Sequence, residues 1–162
     1  MTTHQEGRSS HDGGDRPFVR QVVLDCPHPR ALAEFYRELL GYAYRPGDEP
    51  PPSGQPDPLG DDWLVLRLEA ADPSSGRGIA FQRSDDYVPP VWSAGGEPTT
   101  PGRQRQMVHL DMTVPDVGSL ARQRDRATGL GATILFDRSD DDEEPLYVFA
   151  DPDGHPFCIF VA

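Results

Sequence analysis

The chain has 162 residues, a formal net charge of -12 and a sequence pI near 4.6. An acidic field of that size repels a phosphate backbone, so nucleic acid is not an expected partner. With 36% hydrophobic residues the chain is long enough for one core, and it contains no apolar run of membrane-spanning length.

The first 16 residues, MTTHQEGRSSHDGGDR, are polar and lack the apolar stretch of a signal peptide. They are expected to form a disordered tail, with the rest of the chain, 17–162, as one domain in a bacterial-type cytoplasm. Two cysteines are too few for a disulfide framework.

FVRQVVLDC, residues 18–26, is rich in β-branched residues and reads as a strand stopped by Pro27 and Pro29. In PRALAEFYRELLG the apolar residues Leu32, Phe35, Tyr36, Leu39 and Leu40 recur at helical spacing. Pro29 suits the first turn and Gly41 the C-terminal cap. YAYRP is a short strand, the Pro-, Gly- and Asp-rich residues 47–62 are a loop, and WLVLRLEA and GRGIAFQRS are two strands joined by ADPSSG. The first module, 18–84, is therefore βαβββ.

A connector over 85–105 carries Tyr87 and Trp92 among prolines and glycines. The second module, 106–162, repeats the pattern: strand QMVHLDMTV, helix PDVGSLARQRDRATGL with Asp116 near its start, strand GATILFD, an acidic turn, and strands LYVFA and HPFCIFVA around DPDG. Placing Gln21 on His109 brings Pro27 onto Pro115, so the chain makes one unit twice. The expected fold class is α+β, with two βαβββ modules forming a curved, cup-shaped mixed sheet and helices outside.

Strand alternation puts Gln21 and Asp25 on one face of the first strand, and His109, Asp111 and Thr113 on one face of the fifth. That wall is too polar to serve packing alone. Cys26 is expected to point to the helices and Cys158 to the opposite face, which makes a disulfide between them unfavourable. Trp63 and Trp92 sit where large aromatics cover a ligand, the core or an interface.

The stretches VVLDCPHPRALAEFYRELLG, AFQRSDDYVPPVW, VHLDMTVPDV, LGATIL and DPDGHPFCIF resemble the vicinal oxygen chelate superfamily, and more narrowly its glyoxalase-like domains. The resemblance implies paired βαβββ modules around a cup and, in metal-dependent members, four ligands projecting from the first and last strands of each module. By position these are Gln21, Gln82, His109 and Cys158. The chain has no carboxylate at any of the four. Two neutral amides compensate poorly for a divalent ion's lost water, so no metal or other cofactor is expected.

The expected function is binding of a small organic molecule in the cup by Gln21, Asp25, Gln82, His109, Asp111, Trp63, Trp92 and Cys158, with His109 acting through hydrogen bonds. No catalytic residue is assigned. The alternatives are a metal-dependent lyase, isomerase or dioxygenase using His109 with Gln21, Gln82 and Cys158, and a structural protein whose cup is filled by its own side chains. The resemblance also implies a homodimer, and the lack of a long apolar run leads to the expectation of no membrane association.

Overall fold

The computed structural model describes residues 17, 19–68, 77–92 and 104–162. The expected tail, the turn ADPSSG and the middle of the connector lie outside them. So do Phe18, Glu69 and Ala70, at the ends of two expected strands.

The first module consists of β1 (Gln21–Cys26), α1 (Pro29–Leu40), β2 (Ala43–Tyr44), β3 (Trp63–Arg67) and β4 (Gly78–Arg83). The second consists of β5 (Leu110–Val114), α2 (Val117–Gly129), β6 (Thr133–Arg138), β7 (Leu146–Ala150) and β8 (Pro156–Val161). Each makes a four-stranded sheet, ordered β1-β4-β3-β2 and β5-β8-β7-β6. In each, the first strand runs parallel to the last and the remaining pairs are antiparallel. The fold is α+β, with two mixed sheets rather than one closed barrel.

The helices follow from local sequence. Pro29 opens α1 where a missing N–H costs nothing, and Gly41 takes the left-handed cap at φ 66°, donating its N–H to Arg37. Asp116 caps α2 by accepting the Ser119 N–H at 2.6 Å. Residues 106–109, expected to begin the fifth strand, are not part of it: His109 stands one residue before β5, and in the connector Arg105 makes an isolated bridge to Val91.

Neither sheet has a core of its own. Phe35 of α1 lies 6.0 Å from Phe157 of β8, and Tyr36 lies 5.8 Å from Phe81 of β4 and 6.3 Å from Phe157. These rings join the apolar faces of both modules in one cluster that includes Leu64, Leu66, Leu120, Phe149 and Ile159. Each such side chain contributes roughly 1.5–3 kcal/mol by burial. The Arg126 guanidinium also donates to the Glu38 carbonyl, 88 residues away. That interval is the repeat offset itself and separates the starts of α1 and α2, so the contact sits where the two modules' equivalent surfaces meet.

The loop between β2 and β3 is irregular but tied. The Arg30 guanidinium donates to both Asp57 carboxylate oxygens and to the Asp48 carbonyl, and lies 4.7 Å over the Tyr44 ring. Buried Asp48 accepts the Val65 N–H.

Candidate functional site

Register decides which side chains share a wall. Asp111 of β5 lies opposite Cys158 of β8, and Asp25 of β1 opposite Gln82 of β4, which is opposite Trp63 of β3. Since Val23 is the counterpart of Asp111 and lies opposite Ala80, the positional counterpart of Cys158 is Ala80; Gln82 stands one pleat further along. Cys26 is buried on the helix side and both cysteines are free thiols.

His109, Asp111 and Cys158 come together at the start of β5. The His109 Nε2 lies 3.1 Å from Asp111 Oδ1, and the imidazole, carboxylate and thiol ligand atoms all lie within 4.8 Å of one another. Burial, then the adjacent Asp111 carboxylate, pushes the Cys158 thiol up to about 11, so it is protonated at neutral pH. Trp92 packs edge-on against His109, with ring centroids 5.7 Å apart. The Trp92 Nε1 and the Gln106 Oε1 are buried without a partner among the described residues.

Beside this cluster a cavity of about 530 Å³ opens between the modules. Its walls are the successive residues Val22 to Asp25 of β1 and residues 104–110, and Tyr36, Tyr87 and His155 also line it. Because odd and even residues of β1 both line it, the cavity borders the strand's free edge. Of the expected ligand-binding residues it takes in Asp25 and His109. Gln21, Gln82 and Trp63 belong to the first module's sheet and do not line it; Asp111, Cys158 and Trp92 adjoin it through His109.

The part of the lining around His155 was not legible as a site. Asp151 is buried and its carboxylate accepts from the Tyr36 hydroxyl at 2.9 Å, the Asp153 and His155 N–H groups at 3.0 and 2.9 Å, and His155 Nδ1 at 2.9 Å. The His155 Nε2 reaches the Asp25 carbonyl at 2.9 Å and the Tyr87 hydroxyl at 3.1 Å; that hydroxyl donates to the Asp153 carbonyl at 3.0 Å. Gly154 turns the chain at φ 97°, where a Cβ would meet Pro89 at 2.8 Å, so only glycine allows the approach. The available signal was a histidine directly after DPDG: a tight turn's carboxylate satisfies nearby donors, and the next residue is the closest one with a side chain to offer.

The glyoxalase-like domain model matches residues 21–160, which takes in both modules and every residue of this site. The chain belongs to the glyoxalase-like domain family. Its fold is similar to that of a glyoxalase/bleomycin resistance protein/dioxygenase family enzyme from Burkholderia phytofirmans, with a TM-score of 0.60 and 16% identity over 90% of this chain and 98% of the other. A fosfomycin resistance protein from Mesorhizobium loti matches with a TM-score of 0.55 and 10% identity, over 92% and 94%. A lactoylglutathione lyase from Agrobacterium tumefaciens matches with a TM-score of 0.52 and 10% identity, over 92% and 96%. These likenesses concern the glyoxalase-like fold, which hosts unrelated chemistries. No curated protein matches the chain in sequence. Among the described residues, no helix is long and apolar enough to cross a membrane.

Proposed function

We propose that this glyoxalase-like protein binds a small organic molecule in the cavity between its modules and needs no metal to do so. The observation that carries this reading is the cavity of about 530 Å³ with His109 on its wall. That volume suits a small ligand, and its walls combine an apolar strand edge with a few convergent polar groups. The Asp111 carboxylate lies 3.1 Å from the His109 Nε2, where it can orient the ring so that Nδ1 meets a ligand donor. The buried Gln106 Oε1 offers a second acceptor. The test is a panel of small aromatic and amine compounds read by tryptophan fluorescence and melting temperature. A response in the wild type that His109→Gln keeps in part and His109→Leu loses supports the reading; no response to any member counts against it.

The His109, Asp111 and Cys158 cluster favours a second reading, a metal-dependent lyase, isomerase or dioxygenase. Imidazole, carboxylate and thiolate form an acceptable donor set for zinc, and they lie on one wall. Against it, the thiol is held protonated and the carboxylate already pairs with the imidazole. Elemental analysis of untagged protein prepared without chelators distinguishes the two. One zinc, iron, nickel or manganese per chain, lost in His109→Ala, would establish the metal-dependent reading.

We further propose a homodimer. β6 is the edge of its sheet and exposes Ile134, Leu135 and Phe136 in succession, each 38–40% accessible. Light scattering at micromolar concentration, giving twice the chain mass of 17.9 kDa, is the expected result. The two free thiols are in keeping with a reducing compartment such as the cytoplasm.

A further inference from the structure

We infer that the Asp151–His155 turn is a pH-sensitive clasp between the modules: doubly protonated His155 pins the end of β1 at the cavity wall, and neutral His155 releases it.

The argument is one of donors and acceptors. The Asp151 carboxylate is met by the Tyr36 hydroxyl and by two backbone N–H groups, all donors, and the Nδ1 of His155 donates to it as well. On the other side of the ring, Nε2 lies 2.9 Å from the Asp25 carbonyl, an acceptor with no proton to give. With the Tyr87 hydroxyl donating to the Asp153 carbonyl, the Asp25 contact is a hydrogen bond only when Nε2 also carries a proton. A ring with both nitrogens donating is an imidazolium, and its nearest counter-charge is the carboxylate it touches.

The charged groups around the ring come from every packed element. Asp151 and Asp153 belong to the turn, Asp25 and the Cys26 thiol to β1, Tyr36 to α1 and His28 to its N-cap, and Tyr87 to the segment after β4. Burial holds Tyr36, Tyr87 and Cys26 in their neutral forms. The field on His155 is thus set by acidic groups, which raises its proton affinity despite the cost of burying charge.

Loss of the proton changes the bonding in a defined way. Asp151 retains the Nδ1–H, so Nε2 presents a lone pair to the Asp25 carbonyl, and that contact turns repulsive. The Tyr87 hydroxyl, now donating to the Asp153 carbonyl, can swing to donate to Nε2 at 3.1 Å instead. The alkaline state thus satisfies the ring inside the turn and frees β1 at Asp25, on the wall of the cavity. The clasp needs no ligand to operate, so its test is independent of the function proposed above.

The experiment is a pH titration of the full-length protein, about pH 5 to about pH 10, followed by imidazole nitrogen and backbone amide resonances. The expected result is that His155 shows two protonated ring nitrogens at neutral pH and loses one at a midpoint above that of an ordinary histidine. The amide signals of Val23 and Asp25 should move with that midpoint, and His155→Gln should remove the shared transition. A single protonated nitrogen on His155 at neutral pH, or Asp25 and Val23 amides that stay still while His155 titrates, would overturn the clasp. The wild-type titration decides even if the variant does not fold.

Discussion

Two histidine–aspartate pairs among the described residues have similar N···O distances and opposite circumstances. His109 Nε2 lies 3.1 Å from Asp111, with side chains 35% and 61% exposed; His155 Nδ1 lies 2.9 Å from Asp151, with side chains 13% and 0% exposed. The first pair projects from the start of a strand onto an open wall. The second is closed in by Tyr36 and Tyr87 and spends its hydrogen-bonding capacity joining the modules. The same two residue types therefore do different work: water competes for the exposed pair and leaves it free to exchange partners, whereas an unmade bond in the buried pair has no replacement.

The sharpest way to break this comparison is to make one substitution in both places. Asp151→Asn should destabilise the fold by roughly 3–5 kcal/mol, because it leaves a buried imidazolium without its counter-charge and removes an acceptor from several donors. Asp111→Asn should cost less than about 0.5 kcal/mol, as expected of an exposed side chain. Urea unfolding of both variants checks this, and equal losses would erase the distinction between the pairs.

The pH dependence of stability separates the pairs next. The folded-state proton affinity of His155 is raised above that of the unfolded chain. Its contribution to stability is therefore complete below the unfolded value of roughly 6.5 and disappears as pH rises through the higher folded value. Melting temperatures should fall over that alkaline window, and the fall should be smaller in His155→Gln. A wild-type melting temperature unchanged there would remove His155 as the cause.

Tyr36→Phe should cost about 1–2 kcal/mol, since it removes one donor from Asp151 while keeping the ring between Phe81 and Phe157. On the open side, Cys158 should react slowly with iodoacetamide at neutral pH and faster as pH approaches its raised value of about 11. Asp111→Asn should speed the reaction by removing the adjacent charge, and an unchanged rate would show that burial alone controls the thiol. Cys26, pushed up to about 12 chiefly by burial, should react more slowly still. The smallest stability effect is expected for His109→Leu, within about 0.5 kcal/mol of the wild type. An environment change should still be visible in the fluorescence of Trp92, which packs on the ring.

Sequence by itself determined the repeated βαβββ order, both helices and the faces on which Cys26 and Cys158 lie. Those features depend on local periodicity: the apolar spacing in α1, the caps at Gly41 and Asp116, and the alternation along β1 and β8 are all written within a few residues. It also singled out His109 and Asp111, because alternation along the expected strand puts them on one face two residues apart, although His109 stands just before β5. What it could not supply was the pairing of distant segments. That Asp111 lies opposite Cys158, and that Ala80 rather than Gln82 is the counterpart of Cys158, is a matter of register. Only the tertiary structure brought Asp25, Tyr36, Tyr87 and His155 together on the lining of a cavity. His155 lies 130 residues from Asp25, and Tyr36 lies 115 from Asp151. Such contacts form only because both modules bury their apolar faces in one core, and no local pattern records which polar groups that packing will shut in together.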